Sequence, residues 1–161
     1  MSEISAAEPA VEDPLALQNQ TCFALVVASR SVLALYRPIL EPLELTHPQY
    51  LVMLALWQHA PLSVKELSAL LQLDPGTLSP LLKRLEAADL VRRERNTTDE
   101  RQLAVSLTQA GRDLRARAEQ VPHQVVARLG LDLEELRQLN VALNQIIYAA
   151  NSAMSSAPGP A

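Results

Sequence analysis

The stretch Ser63-Val64-Lys65-Glu66-Leu67, continuing to Leu73-Asp74-Pro75-Gly76-Thr77-Leu78-Ser79-Pro80-Leu81-Leu82-Lys83-Arg84-Leu85-Glu86, decides the fold. Ser63 and Glu66 stand at the spacing of a capping box, in which hydroxyl and carboxylate each take a backbone N–H that a first helical turn leaves unpaired. Leu67, Leu70 and Leu71 then follow at helical intervals. Asp74 is a second capping residue and Pro75 a favoured first-turn residue. Leu78, Leu81, Leu82 and Leu85 place one apolar stripe along the helix that follows. Two short helices therefore meet across Gln72-Leu73-Asp74.

Beyond Asp89 the period changes. Val91–Arg95 and residues 102–107 are short strand candidates, and Asn96-Thr97-Thr98-Asp99-Glu100 between them is rich in turn formers. Helix, helix and hairpin in this order is a winged helix-turn-helix, whose second helix enters the major groove of double-stranded DNA. The face of that helix opposite its leucines carries Gly76, Thr77, Ser79, Pro80, Lys83 and Arg84. Small residues allow close approach to base edges, hydroxyls contact bases or phosphates, and the two cations neutralise phosphates. An ordinary solvated face explains the same residues, and the hairpin tips the balance. Arg93 and Arg95 precede a tip ending in Asp99-Glu100-Arg101, so Arg101 is projected with carboxylates beside it, as suits a narrow, electronegative minor groove.

Outward from this centre the remaining elements are helical. Residues 17–36 form a mostly apolar helix with an irregular end at Pro38 and Pro42. A second helix opens near Pro48 and is stopped by Pro61. Thr108 starts a helix to about residue 129, and Asp132-Leu133-Glu134-Glu135 caps a last helix reaching about residue 150. The expected class is mainly α: a winged helix-turn-helix with a two-stranded wing and a helical dimerisation region. Residues 1–14 and 152–161 are expected to be disordered tails flanking one domain at 15–151. Within it the winged helix-turn-helix occupies about 48–108.

Composition agrees. The chain has 161 residues, 48% hydrophobic but 3% aromatic, with four glycines, so its core is built from Leu, Ala and Val and an all-β fold is nearly excluded. The net charge of −4 argues at first against an acidic partner. However, Glu3, Glu8, Glu12 and Asp13 precede any Lys or Arg and account for all of it. Lys83, Arg84, Arg92, Arg93 and Arg95 outnumber Glu86, Asp89 and Glu94 by two. No apolar run is expected to reach the roughly 20 residues of a membrane span, and the N-terminus lacks the order of a signal peptide. A cytoplasmic protein with no membrane partner is expected. Cys22 stands alone, which excludes an intramolecular disulfide and a Cys-rich zinc site, and the three histidines have no ligand spacing. No metal or cofactor is called for.

Cys22 falls in the first turn of the first helix if Asn19 or a neighbour caps it. Free N–H groups there favour a reactive thiolate. A small buried hydrophobe among Phe23, Leu25 and Val26 is the other reading.

The segment 73–86, with Leu90-Val91-Arg92-Arg93 and Asp99-Glu100-Arg101, resembles the MarR family of winged-helix transcription regulators. Asn19-Gln20-Thr21-Cys22-Phe23-Ala24-Leu25 and Thr46-His47-Pro48-Gln49-Tyr50-Leu51 resemble its organic-hydroperoxide-sensing branch, the OhrR repressors. The similarity covers roughly residues 15–150. It implies a homodimer built on helices at about 15–45 and 109–151, an inverted-repeat operator, and a peroxidatic cysteine at Cys22. It also supplies tyrosine hydroxyls that hydrogen-bond the sulfur, one of them matched by Tyr36. Fourteen residues of straight helix span about 21 Å, so Tyr36 would serve the Cys22 of a second subunit.

The chain departs from that branch at two places. His47 and Val26 stand where relatives often carry further tyrosines, with His47 either donating instead or facing solvent. Ala127 lies near where some relatives carry a resolving cysteine, so oxidised Cys22 must react with a small thiol, the other Cys22 or a backbone nitrogen, or oxidise further. The resemblance implies a repressor released when an organic hydroperoxide oxidises Cys22, with a low-molecular-weight thiol as a further partner. It leaves His47 a member of the redox-sensing set with Cys22 and Tyr36, and no residue in a catalytic role. One alternative is a regulator that binds a small aromatic ligand, with Cys22 a bystander. Another is a thiol peroxidase, against which the lack of an acid, base or resolving cysteine near Cys22 weighs.

Overall fold

A computed structural model of the chain describes residues 13–95 and 103–155. In chain order its elements are α1 Thr21–Leu40, α2 His47–His59, β1 Leu62–Ser63, α3 Val64–Leu71, α4 Pro75–Ala87, β2 Val91–Arg95, β3 Leu103–Leu107, α5 Gln109–Ala118, α6 Gln120–Leu129 and α7 Leu133–Ser155, with single 3-10 turns at Leu17–Asn19 and Glu41–Leu43. The chain divides into two compact units, Met1–Arg112 and Asp113–Ala161.

In the first unit, local chemistry sets the helix starts. Thr46 and Gln49 form a capping box at α2. Ser63 N donates to Glu66 Oε2 at 2.7 Å and Glu66 N to Ser63 Oγ at 3.2 Å, as the spacing predicts. Gln72 closes α3 in the left-handed region at φ 52°, and Asp89, at φ 56°, turns the chain from α4 into β2. The leucine stripe of α4 is buried: Leu78, Leu82 and Leu85 have no exposed surface, as do Leu67 of α3 and Val105 of β3. Removing such side chains from water stabilises by about 1.5–3 kcal/mol each, which holds helix-turn-helix and wing as one body.

The sheet has three strands in the order β1-β3-β2, all antiparallel. Val91 pairs with Leu107 and Arg95 with Leu103. The third strand, with Leu62 opposite Val105, is an addition to the expected two-stranded wing. Two residues between Pro61 and a capping box carry no strand signal of their own; the partner strand supplies it. Behind the wing, Trp57 Nε1 donates to the Gly111 carbonyl at 2.8 Å. A Cβ at Gly111 would lie 2.0 Å from the Leu90 carbonyl oxygen, so the close approach of α5 to Leu90 requires glycine.

Beyond the sheet, α5 and α6 are two segments where one helix is expected. Pro122 lacks the N–H that would reach the Ala118 carbonyl, and the break falls at Glu119. Leu114, Ala118, Val121 and Val125 make a buried stripe along them. Asp132 and Glu135 exchange backbone bonds at 2.8 Å each and open α7. That helix runs on through Ser155, past the expected end at residue 150 and into the expected C-terminal tail, because Ser152 to Ser155 contain no breaker.

Two long apolar helices leave much of their hydrophobic surface exposed in a single chain: Phe23, Val26, Val27 and Leu33 on α1, and Leu139, Val141, Ile146 and Ile147 on α7. The expectation that no apolar run reaches membrane-spanning length is corrected here. Thr21–Leu43 meets that length with a mean hydropathy of 1.5, because its Ala, Val and Leu outweigh Arg30 and Arg37.

Candidate functional site

The helix-turn-helix is assembled from its caps. Asp74 accepts from Thr77 N through Oδ1 at 2.9 Å and from the Thr77 hydroxyl through Oδ2 at 2.6 Å. These bonds hold its carboxyl below the usual Asp range. A Cβ on Gly76 would come within 2.9 Å of Asp74 Oδ1, so Gly76 protects the cap as well as leaving the helix start slim. Thr77, Pro80, Lys83 and Arg84 are exposed on the face away from the leucine stripe, and Ser79 is half-buried at its margin. Pro80 withholds the N–H that would reach the Gly76 carbonyl.

The wing differs in one respect from a row of free arginines. Arg93 donates through Nε to Glu86 Oε2 at 2.9 Å and through its terminal nitrogen to the same oxygen. Its guanidinium therefore ties β2 to the end of α4 instead of standing ready for a phosphate, and it holds the Glu86 carboxyl below the usual range. Sequence reasoning paired neither residue; an acid on the last turn of α4 and a base two residues into β2 is the signal that was available. Arg92 pairs with Glu94 at 2.9 Å, and Arg95 is exposed. Asp99 and Arg101 lie outside the described residues.

Cys22 is the second residue of α1 and is exposed, so within one chain it is not a buried hydrophobe. Gln20 takes the N-cap position, without a side-chain bond to the helix; its side-chain amide donates instead to the Pro14 carbonyl at 2.6 Å. Tyr36 lies on the same unbroken helix, about 21 Å along it, and is brought to a different set of partners. Its ring meets His47 edge-on at 4.7 Å and Tyr50 at 6.2 Å, and Tyr50 meets Trp57 at 6.5 Å.

Burial raises Tyr36, so its hydroxyl stays protonated and able to donate at neutral pH. Burial lowers His47, which is accordingly neutral there. Tyr50, 3% exposed, is raised by burial and then by Tyr36. Tyr50 is the member sequence reasoning missed, although His47, Tyr50 and Trp57 recur at three and seven on one helical face. Beside this cluster an open groove of about 580 Å³ is lined by apolar Leu33, Leu45 and Pro48 together with Arg37, Glu41, Glu44, Thr46 and His47. It can take an amphipathic molecule.

A sequence model of the transcriptional regulator SarA/Rot family matches residues 34–117. The chain is 48% identical over 128 residues to the HTH-type transcriptional regulator TtmR of Methylorubrum extorquens (strain PA1), covering 80% of this chain and 66% of that protein. It is 41% identical over 135 residues to the organic hydroperoxide resistance transcriptional regulator of Bacillus subtilis (strain 168), covering 84% of this chain and 92% of that one. Among solved structures, reduced AbfR bound to DNA is similar with a TM-score of 0.68 and 34% identity, covering 83% of this chain and 94% of the Staphylococcus epidermidis protein. AbfR has also been solved bound to DNA in an overoxidised form.

Proposed function

This chain belongs to the MarR family of winged-helix transcription regulators, which are not enzymes, and from that premise we propose that it is a homodimeric cytoplasmic repressor, released from an inverted-repeat operator when an organic hydroperoxide oxidises Cys22. The observation that carries this reading is the placement of Cys22 and Tyr36 at opposite ends of one exposed apolar helix. A protonated hydroxyl donor and an exposed thiol that cannot meet within a chain can meet when two copies of α1 cross.

The chemistry is balanced with the hydroperoxide as oxidant. The Cys22 thiolate attacks the terminal oxygen, the O–O bond breaks, and the alkoxide leaves and takes a proton to become an alcohol. Sulfur is oxidised by two electrons to the sulfenic acid. A low-molecular-weight thiol then forms a mixed disulfide and releases water. In AbfR an overoxidised form still binds DNA, which favours a bulky adduct over oxygen alone as the releasing state. DNA contact falls to Thr77, Ser79, Lys83 and Arg84 on α4, with Arg95 from the wing.

The test is release of operator DNA by cumene hydroperoxide, with wild type and Cys22→Ser in parallel. Release by wild type alone supports the proposal. Equal release of both overturns it in favour of a second reading that the groove beside His47 motivates: a regulator answering a small aromatic ligand, with Cys22 a bystander.

A further inference from the structure

Both oxygens of the Asp74 carboxylate accept from Thr77. Oδ1 accepts the Thr77 backbone N–H and Oδ2 accepts the Thr77 hydroxyl hydrogen, at 2.9 and 2.6 Å. A threonine hydroxyl has one hydrogen and two lone pairs, and an ionised carboxylate can only accept. Thr77 is therefore left with lone pairs, and no O–H, to offer outward from the exposed face of α4. The glycine at position 76 keeps the carboxylate seated, since a Cβ there would press on Oδ1.

We infer that Asp74 sets the hydrogen-bond polarity of Thr77, making it a reader of major-groove donors: cytosine N4 or adenine N6. This rests on α4 being the recognition helix. Guanine offers N7 and O6 as acceptors and thymine offers O4, so neither finds a partner in the Thr77 hydroxyl. Phosphate oxygens are acceptors too, which separates this role from backbone anchoring. Asp74 touches no DNA in this scheme and acts as a positioning residue.

The experiment selects bound duplexes from a randomised library with the full-length wild type, Asp74→Asn and Thr77→Val. Wild type is expected to prefer cytosine or adenine at one position of each half-site, and Thr77→Val, which keeps the shape, to lose that preference there and nowhere else. In Asp74→Asn the amide oxygen can still cap Thr77 N while the amide N–H donates to the hydroxyl, turning its hydrogen outward. The preference at that position should then move toward guanine or thymine by about five- to tenfold. The change of charge in Asp74→Asn acts on affinity for all sequences alike, so a shift in base preference reads the turned hydroxyl and not the lost charge. A preference in wild type for guanine or thymine at the position erased by Thr77→Val overturns the inference. So does identical selection by wild type and Asp74→Asn, while α4 remains the recognition helix in both cases. Failure of wild type to select any sequence overturns the recognition-helix reading itself and the inference with it.

Discussion

Arg93 and Glu86 hold each other across the junction of α4 and the wing, with Nε 2.9 Å from Oε2 and both side chains little more than a quarter exposed. The pair fixes how β2 leaves α4. Glu86→Gln should cost about 1 kcal/mol in urea unfolding at neutral pH. Because the folded Glu86 carboxyl is held below its ordinary 4.5, its contribution is fully present above that value and is lost as pH falls through the lowered one. The stability gap between wild type and variant should accordingly close as pH is taken below 4.5; a gap unchanged there would remove the ion pair as its cause.

Lys83 and Arg84 stand exposed on α4 without the tether that Arg93 has to Glu86. Replacing either by Ala should weaken binding to operator and random duplex alike and lower the slope of log affinity against log salt by about 1. Titrations at several salt concentrations read this directly. A loss confined to the operator would assign base contacts instead.

Tyr36 donates best while it is protonated, and burial keeps it so. Under the sensing proposal, Tyr36→Phe should leave operator affinity of the reduced protein intact and slow oxidation of Cys22 by roughly tenfold or more, the worth of a hydrogen bond to a charged sulfur. Stopped-flow loss of the free thiol at fixed hydroperoxide measures it. An unchanged rate would take Tyr36 out of the sensing site.

Gly111 has the Leu90 carbonyl oxygen where a side chain would begin, at 2.0 Å from a Cβ. Gly111→Ala should destabilise by about 1–3 kcal/mol, since the start of α5 must move and with it the acceptor of the Trp57 indole. The denaturation midpoint should fall, and tryptophan fluorescence should report the altered indole in the native state.

How much of this could be read in the chain depended on the distance between partners. The caps Ser63 with Glu66, Asp74 with Thr77 and Asp132 with Glu135 are three residues apart, and the leucine stripe of α4 has the helical period, so local sequence contains the whole interaction. These features determined two helices, a turn and the polar face of α4, and with the strand pattern after Asp89 they determined the winged helix-turn-helix. Tertiary structure alone decided the rest. Leu62–Ser63 becomes a strand because β3 lies beside it, and Trp57 finds its acceptor 54 residues on. Arg93 is drawn to Glu86 by the turn between α4 and β2, and Tyr36 is desolvated by rings from a different helix. Such contacts join residues whose neighbours in the chain carry no mark of them, and only folding brings their charges and rings within reach.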